Sequence, residues 1–144
     1  MLDFEYTDTF DYPAATVFAL LADLHARRSW LEGILQQKVD PEGPARLGTT
    51  YFEAGKYGGY ESEKTSTVTE FEPGRVLTLE TVPGTKQAYR ESYRVEPLSP
   101  TSCKVAFITN IDAPKMAALF MRQSMKKSWP ENTKRLRETL ATRA

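Results

Sequence analysis

The stretch "YPAATVFALLADLHARRSWLEGI", residues 12–34, decides how the chain is read. Pro13 stands where a helix favours its first residue, and Val17, Phe18, Leu21 and Leu24 recur at three- and four-residue spacing, which gathers them on one face. The pattern predicts a helix over residues 13–24. From His25 to Leu35 the apolar stripe breaks up and Gly33 interrupts it, so a short second helix or a turn is expected. The same run holds the only histidine, His25, beside Arg27, Arg28 and Trp30. Such a group can hold an anion and move a proton, because imidazole titrates near neutral pH and guanidinium forks around carboxylates and phosphates.

Outward from this stretch the period changes. Before it, Phe4, Tyr6 and Phe10 alternate with Asp3, Glu5, Thr7 and Thr9, the pattern of a half-buried strand over residues 3–10. After it, strands are expected over residues 37–40, 48–54 and 60–71, with a loop at residues 41–44. Gly55, Gly58 and Gly59 mark a hairpin tip there, and Tyr57, Gly58, Gly59 and Tyr60 read either as a mobile lip over a cavity or as a solvated turn. In "EFEPGRVL", a two-residue loop at Pro73 and Gly74 sets Val68 opposite Leu79, so that Ser66 and Val68 share a face with Leu77, Leu79 and Thr81. Two more strands fit residues 87–96 and 102–111. After Ala113 one long amphipathic helix runs to the end, carrying Met116, Phe120, Met121, Met125, Trp129, Leu136 and Leu140. Pro130 predicts a kink near Trp129.

Composition narrows the function classes. With 144 residues, 40% hydrophobic and 26% charged, the chain fits one domain over residues 1–144. Lys plus Arg and Asp plus Glu balance at 19 each, which leaves no excess charge to neutralise a nucleic-acid backbone. No apolar stretch reaches the roughly 20 residues that span a bilayer, and the start lacks the order of a signal peptide; an integral membrane segment is not expected and a cytoplasmic location is. One cysteine and one histidine give neither a disulfide nor the usual metal sets, and no glycine-rich phosphate loop leads from a strand into a helix. No metal and no cofactor is therefore called for. The oligomeric state is open between monomer and homodimer.

Taken together, "YPAATVFALLADLHARRSWLEGI", "LGTTYFEAG", "TVTEFEPGRVLTLET" and "ENTKRLRETL" resemble the START-related superfamily, often called SRPBCC, in its polyketide cyclase/dehydrase and lipid-transport branch. The resemblance covers nearly the whole chain and implies an α+β helix-grip fold. In it, a curved antiparallel sheet of about six to seven strands wraps around the long C-terminal helix, with two short helices after the first strand. It also implies a cavity that accepts a hydrophobic or aromatic small molecule. In this frame His25 falls at the end of the first helix, Arg27 and Arg28 are expected in solvent unless one reaches the cavity mouth, and Trp30 becomes a candidate wall.

Strand periodicity supplies the other candidates. Tyr89, Tyr93 and Val95 share a face with Glu91, which makes Glu91 the odd member of an inward row. A carboxylate among tyrosines in an apolar pocket has a raised pKa and suits general acid or base chemistry; the alternatives are a place near a strand end or a partner lysine or arginine. Ser66, Phe107 and Thr109 face the same space from neighbouring strands. Met116 and Phe120, with Met121 and Met125, serve either as plain core or as a permissive pocket roof. Cys103 reads as a nucleophile or as a small buried hydrophobe, and no His partner is placed for it. The basic residues from Lys126 to Arg137 are interleaved with Glu131 and Glu138 and read as a solvated helix face rather than a membrane helix.

Three functions follow. The first is binding or transport of a hydrophobic or aromatic molecule (a lipid, polyketide or isoprenoid-like compound) between sheet and helix. The second is a polyketide cyclase or dehydratase-like enzyme using Glu91, Tyr89 or Tyr93 as acid or base. The third is a protein-interaction module like the chaperone-activating relatives, which predicts a contiguous exposed apolar patch.

Overall fold

The computed structural model describes residues 2–57, 60–85 and 87–143. Strand β1 spans Leu2–Phe10, and helix α1 spans Ala14–Ala22, shorter than its apolar spacing implies. Pro13 carries the first carbonyl of the helix, accepting from the amides of Thr16 and Val17. The helix stops because Asp23 turns to extended backbone, and the chain then makes one 3-10 turn, Leu24–Ala26, and the four-residue α2, Arg27–Trp30. His25 lies in that turn, exposed, 3.1 Å from Glu42, so it is a surface group and not the end of α1.

Six strands follow: β2 (Ile34–Asp40), β3 (Thr50–Tyr57), β4 (Tyr60–Glu72), β5 (Val76–Thr81), β6 (Tyr89–Ser99) and β7 (Ser102–Ile111). With β1 they form one seven-stranded antiparallel sheet in the order β1-β7-β6-β5-β4-β3-β2. From β2 to β7 consecutive strands pair, and β1 pairs with β7, with Leu2 opposite Ile111 and Phe10 opposite Cys103. This is the helix-grip architecture that the resemblance implies. Among the described residues, no helix is long and apolar enough to cross a membrane.

Two local details depart from the simple strand pattern. Val68 does pair with Leu79, but not through a two-residue loop: Glu72 pairs with Val76 across a three-residue turn, and an irregularity between Val68 and Glu70 restores the register. Gly74 sits in this turn at φ 76°, a backbone region that favours glycine. Gly55 lies inside β3 rather than at a hairpin tip. A Cβ there would collide with the carbonyl of Gly33, so glycine is required by the close approach of two backbones. Gly58 and Gly59, and the side chains of Tyr57 and Tyr60, fall outside the described residues.

Helix α3, Lys115–Arg143, completes the fold and is two different objects along its length. Its five buried residues, Trp129, Asn132, Thr133, Leu136 and Leu140, all lie in the second half. There Trp129 packs on Phe107 at 4.8 Å between ring centroids and stacks on Tyr6 at 6.3 Å. Arg137 reaches Asp8 at 2.6 Å and the Thr9 carbonyl at 2.8 Å, and Arg135 donates to the Trp30 carbonyl at 3.3 Å. These two arginines therefore tie the helix to β1 and α2, where the sequence suggested a solvated face. Pro130 lies inside the helix without ending it. The carbonyl that lacks its usual helical donor belongs to Lys126, an exposed residue. The first half rests on a small separate cluster in which Met121 and Met125 pack near Leu2 and Ile111.

This division predicts an uneven response to truncation. Leu136→Ala, at a fully buried site, loses about 2–5 kcal/mol of unfolding free energy. Leu119→Ala, 56% exposed in the first half, stays within about 0.5 kcal/mol of the parent. Urea unfolding of both variants checks this, and equal losses would mean that both halves of α3 are packed alike.

Candidate functional site

The alternation of β6 turns Tyr89, Glu91, Tyr93 and Val95 inward, and α2 delivers Arg27 to the same place. Arg27 is 2% exposed, contrary to the expectation that it is solvated. Both of its terminal nitrogens are engaged. Nη1 donates to the Tyr93 hydroxyl at 2.6 Å, and Nη2 meets Glu91 at 2.9 Å and Glu53 at 3.4 Å. The Tyr93 hydroxyl in turn donates to Glu91 at 2.7 Å. From β4, Lys64 approaches the other Glu91 oxygen at 3.3 Å and lies 3.5 Å over the ring of Tyr89. At the back, Gln37 donates to the Tyr51 hydroxyl at 2.9 Å, and the Arg27 guanidinium lies over the Tyr51 ring at 5.3 Å. Two cations and two carboxylates thus share one buried site, with no net charge.

The electrostatics follow from this geometry. Burial alone would raise the Glu91 pKa, but the charges of Arg27 and Lys64 and the Tyr93 hydrogen bond overcome it and lower it to about 2. The sequence expectation of a raised pKa is therefore reversed, and the paired alternative is the one realised. At neutral pH Glu91 is a carboxylate with little affinity for a proton, and so is a poor general acid and a weak base. Burial pushes the Tyr89 hydroxyl up to about 12 against the opposing charge of Lys64, and it also raises Tyr93. Both tyrosines stay protonated and act as hydrogen-bonding groups. Burial works against the charge of Lys64, but Tyr89 and Glu91 raise its pKa overall; Arg27, facing Glu91, Tyr93 and Glu53, is likewise raised.

The remaining candidates fall into four groups. Trp30 and Phe107 are fully buried in an aromatic cluster, with Trp30 5.9 Å from Tyr93, 6.2 Å from Phe107 and 6.3 Å from Trp129. Their rings pack on one another and fill the space between sheet and α3 at this level. Thr109 pairs across the strands with Glu91, and Ser66 with Tyr51; both are buried beside the charged group. Met116 and Phe120 are 72% and 71% exposed on the outer side of α3, so neither is core. They point away because Ala117, Ala118, Met121 and Met125 occupy the inner side. Cys103 is buried on β7, where burial raises its thiol pKa, the opposite of what a nucleophile needs.

Glu53, Lys64 and Tyr51 were not among the residues singled out by sequence, and Arg27 was named there beside His25 but not as a partner of Glu91. A signal existed for Lys64, which is two residues from Ser66 and four from Val68 and so shares their face. Arg27 stands three residues before Trp30, on the same side of one helical turn. Two buried donors, Arg27 Nε and Trp30 Nε1, have no hydrogen-bond partner among the described residues. Two surface depressions lie elsewhere. One, of about 400 Å³, is lined by Ala15, Ala19, Leu20, Leu140 and Arg143 between α1 and the end of α3. The other, of about 230 Å³, is on the outer face of the sheet around Glu5, Arg94 and Lys104. Neither includes a residue proposed from the sequence.

Comparison with known proteins agrees with the fold. A family model described as polyketide cyclase / dehydrase and lipid transport matches residues 1–143. No curated protein matches the chain. Among solved structures, a START superfamily protein from Mycobacterium smegmatis aligns with a TM-score of 0.79 at 12% identity, covering 99% of both chains. Human STARD10 aligns with a TM-score of 0.75 at 14% identity over 98% of this chain and 64% of its own. The Zhui aromatase/cyclase from Streptomyces sp. R1128 aligns with a TM-score of 0.66 at 15% identity over 96% of this chain and 90% of its own. At these identities the likeness is one of fold.

The buried charges make two predictions. Arg27→Met strands Glu91 and Glu53 without their guanidinium and destabilises the chain by about 3–5 kcal/mol, as read by denaturant unfolding. Because the folded-state pKa of Glu91 is depressed, its stabilising contribution is present above the ordinary value of 4.5 and is lost as pH falls toward about 2. Glu91→Gln accordingly flattens the acid limb of a stability–pH curve over that window; an unchanged limb would show that Glu91 is not held in its charged form.

Proposed function

The chain belongs to the polyketide cyclase / dehydrase and lipid transport family, and on that premise we propose that it binds or carries a hydrophobic or aromatic small molecule between the sheet and α3. The observation that carries this reading is the pair of buried donors, Arg27 Nε and Trp30 Nε1, without an acceptor among the described residues. A buried N–H left unpaired is unfavourable by about 1–3 kcal/mol, so a site that keeps two of them gains from a guest that brings oxygen acceptors. The rings of Trp30, Tyr93 and Phe107 pack together around them, and a guest with an apolar or aromatic body takes the place of part of this ring packing. The guest that fits both is a flat or elongated hydrophobic molecule bearing a carbonyl or similar oxygen.

Entry falls to the first half of α3. Residues 115–128 contain no buried side chain, so lifting that half breaks far less packing than moving the half that carries Trp129 and Leu136. Met121 and Met125, on the inner side, are adaptable surfaces for a guest of varied shape. The Arg27–Glu91–Lys64 group forms the polar floor. A carrier is favoured over a cyclase or dehydratase because Glu91 is held deprotonated and Tyr89 and Tyr93 protonated, which leaves none of these three poised near neutral pH.

Titration calorimetry with fluorenone and with fluorene, which share a ring system and differ by one carbonyl, tests the proposal. Fluorenone is expected to bind about tenfold or more tightly, the effect of one hydrogen bond to a charged or buried donor. Trp30→Phe should narrow that difference while leaving fluorene binding in place. Binding of neither compound, or equal binding of both, counts against an oxygen-reading apolar site.

A further inference from the structure

Between Ala113 and Pro130 the chain carries four basic residues, Lys115, Arg122, Lys126 and Lys127, and no acidic one, although the whole chain is neutral. This segment is the first half of α3, and its outer side is unusual: Met116 is 72%, Leu119 56% and Phe120 71% exposed. At about 100° of rotation per residue those three fall within one sector of the helix together with Gln123, and Lys127 continues the sector one turn later. Lys115, Arg122 and Lys126 line one edge of it, with Arg122 also donating to the Asp3 carbonyl at 2.9 Å. Scattered single hydrophobes on a surface are ordinary, whereas adjoining large ones rimmed by charge of one sign mark an interaction surface.

We propose that this face docks on an anionic lipid surface. Met116, Leu119 and Phe120 enter the boundary between headgroups and acyl chains, while Lys115, Lys126 and Lys127 lie over anionic headgroups. The charge pattern favours this occupant over others. An antiparallel two-fold contact with a second copy would bring each basic row beside its twin, which like charges oppose. A groove on another protein grips a helix on its free sides, but the inner side of this helix is already packed against Leu2, Ile111 and Ala113. What remains is a shallow strip suited to a broad, flat surface. The docking face is the outer side of α3 and stands apart from the ligand site proposed above, so either reading survives the loss of the other.

Flotation of the full chain with phosphatidylcholine vesicles, with and without phosphatidylglycerol, is the test. The chain is expected to float only with the phosphatidylglycerol vesicles, and less so as salt rises. Phe120→Ser should weaken this binding about tenfold or more by removing the largest inserted apolar group. Lys126→Glu with Lys127→Glu should weaken it by at least about fivefold for each lysine lost. All three positions are exposed, so the variants should keep the parent far-UV circular dichroism, and fluorenone affinity without vesicles should be unchanged. A folded parent chain that ignores phosphatidylglycerol vesicles overturns the proposal, as does binding that survives these substitutions undiminished. A dimer in sedimentation equilibrium that Phe120→Ser splits, with no vesicle binding, assigns the face to a second copy instead. Capture of an acidic protein partner without vesicle binding likewise overturns it.

Discussion

The interior is organised around one buried guanidinium. Arg27 enters from a helix of only four residues and meets Glu91 and Tyr93 on β6 and Glu53 on β3, so a single side chain ties the short helical segment to two strands that are not neighbours in the sheet. A charge at 2% exposure is tolerable only if its partners are well placed to pair with it, and strand register places them. Glu53 pairs directly with Lys64 across β3 and β4, and Glu91 with Thr109 across β6 and β7. The sheet presents the carboxylates, and the helix supplies the cation that helps to keep Glu91 ionised.

The same arrangement limits the chemistry. Proton transfer needs a group whose pKa lies near the working pH, and the network holds Glu91 below that range and Tyr89, Tyr93 and Lys64 above it. What it offers is a rigid polar surface beside aromatic rings, which suits recognition better than turnover. Helix α3 complements it by being uneven. Its second half is locked by Trp129, Leu136 and the Arg137 contacts to β1, while its first half covers the sheet without burying a side chain. A helix anchored at one end and lightly held at the other can admit a guest without unfolding the domain.

Much of the architecture was legible in the sequence, because it rests on periodicity. The strand β7 matched its expected residues at both ends, and the long final helix, the short helices and the antiparallel hairpins followed from spacing and turn residues. The Val68–Leu79 pair was anticipated through the wrong turn, since a bulge is invisible to a pattern of alternating residues. The site was less legible. Tyr93 and Glu91 were found by alternation, but Arg27 was assigned to solvent, because neither helix length nor charge reveals that a four-residue helix aims one arginine inward. Alternation leaves open whether Glu91 has a raised pKa or a basic partner, because the arginine that decides it lies 64 residues away in sequence. Met116 and Phe120 were misplaced because an apolar stripe does not say which side of a helix the sheet will claim.

The central claim is that Glu91 is a clamped carboxylate, held charged by Arg27 and Lys64, and not a proton-transfer group. A carbon-13 NMR titration of the Glu91 side-chain carboxyl tests it most directly. The structure predicts a chemical shift that stays at its ionised value through pH 4.5 and moves only as pH approaches about 2. A midpoint at or above 4.5 would contradict it and return Glu91 to consideration as an acid or base.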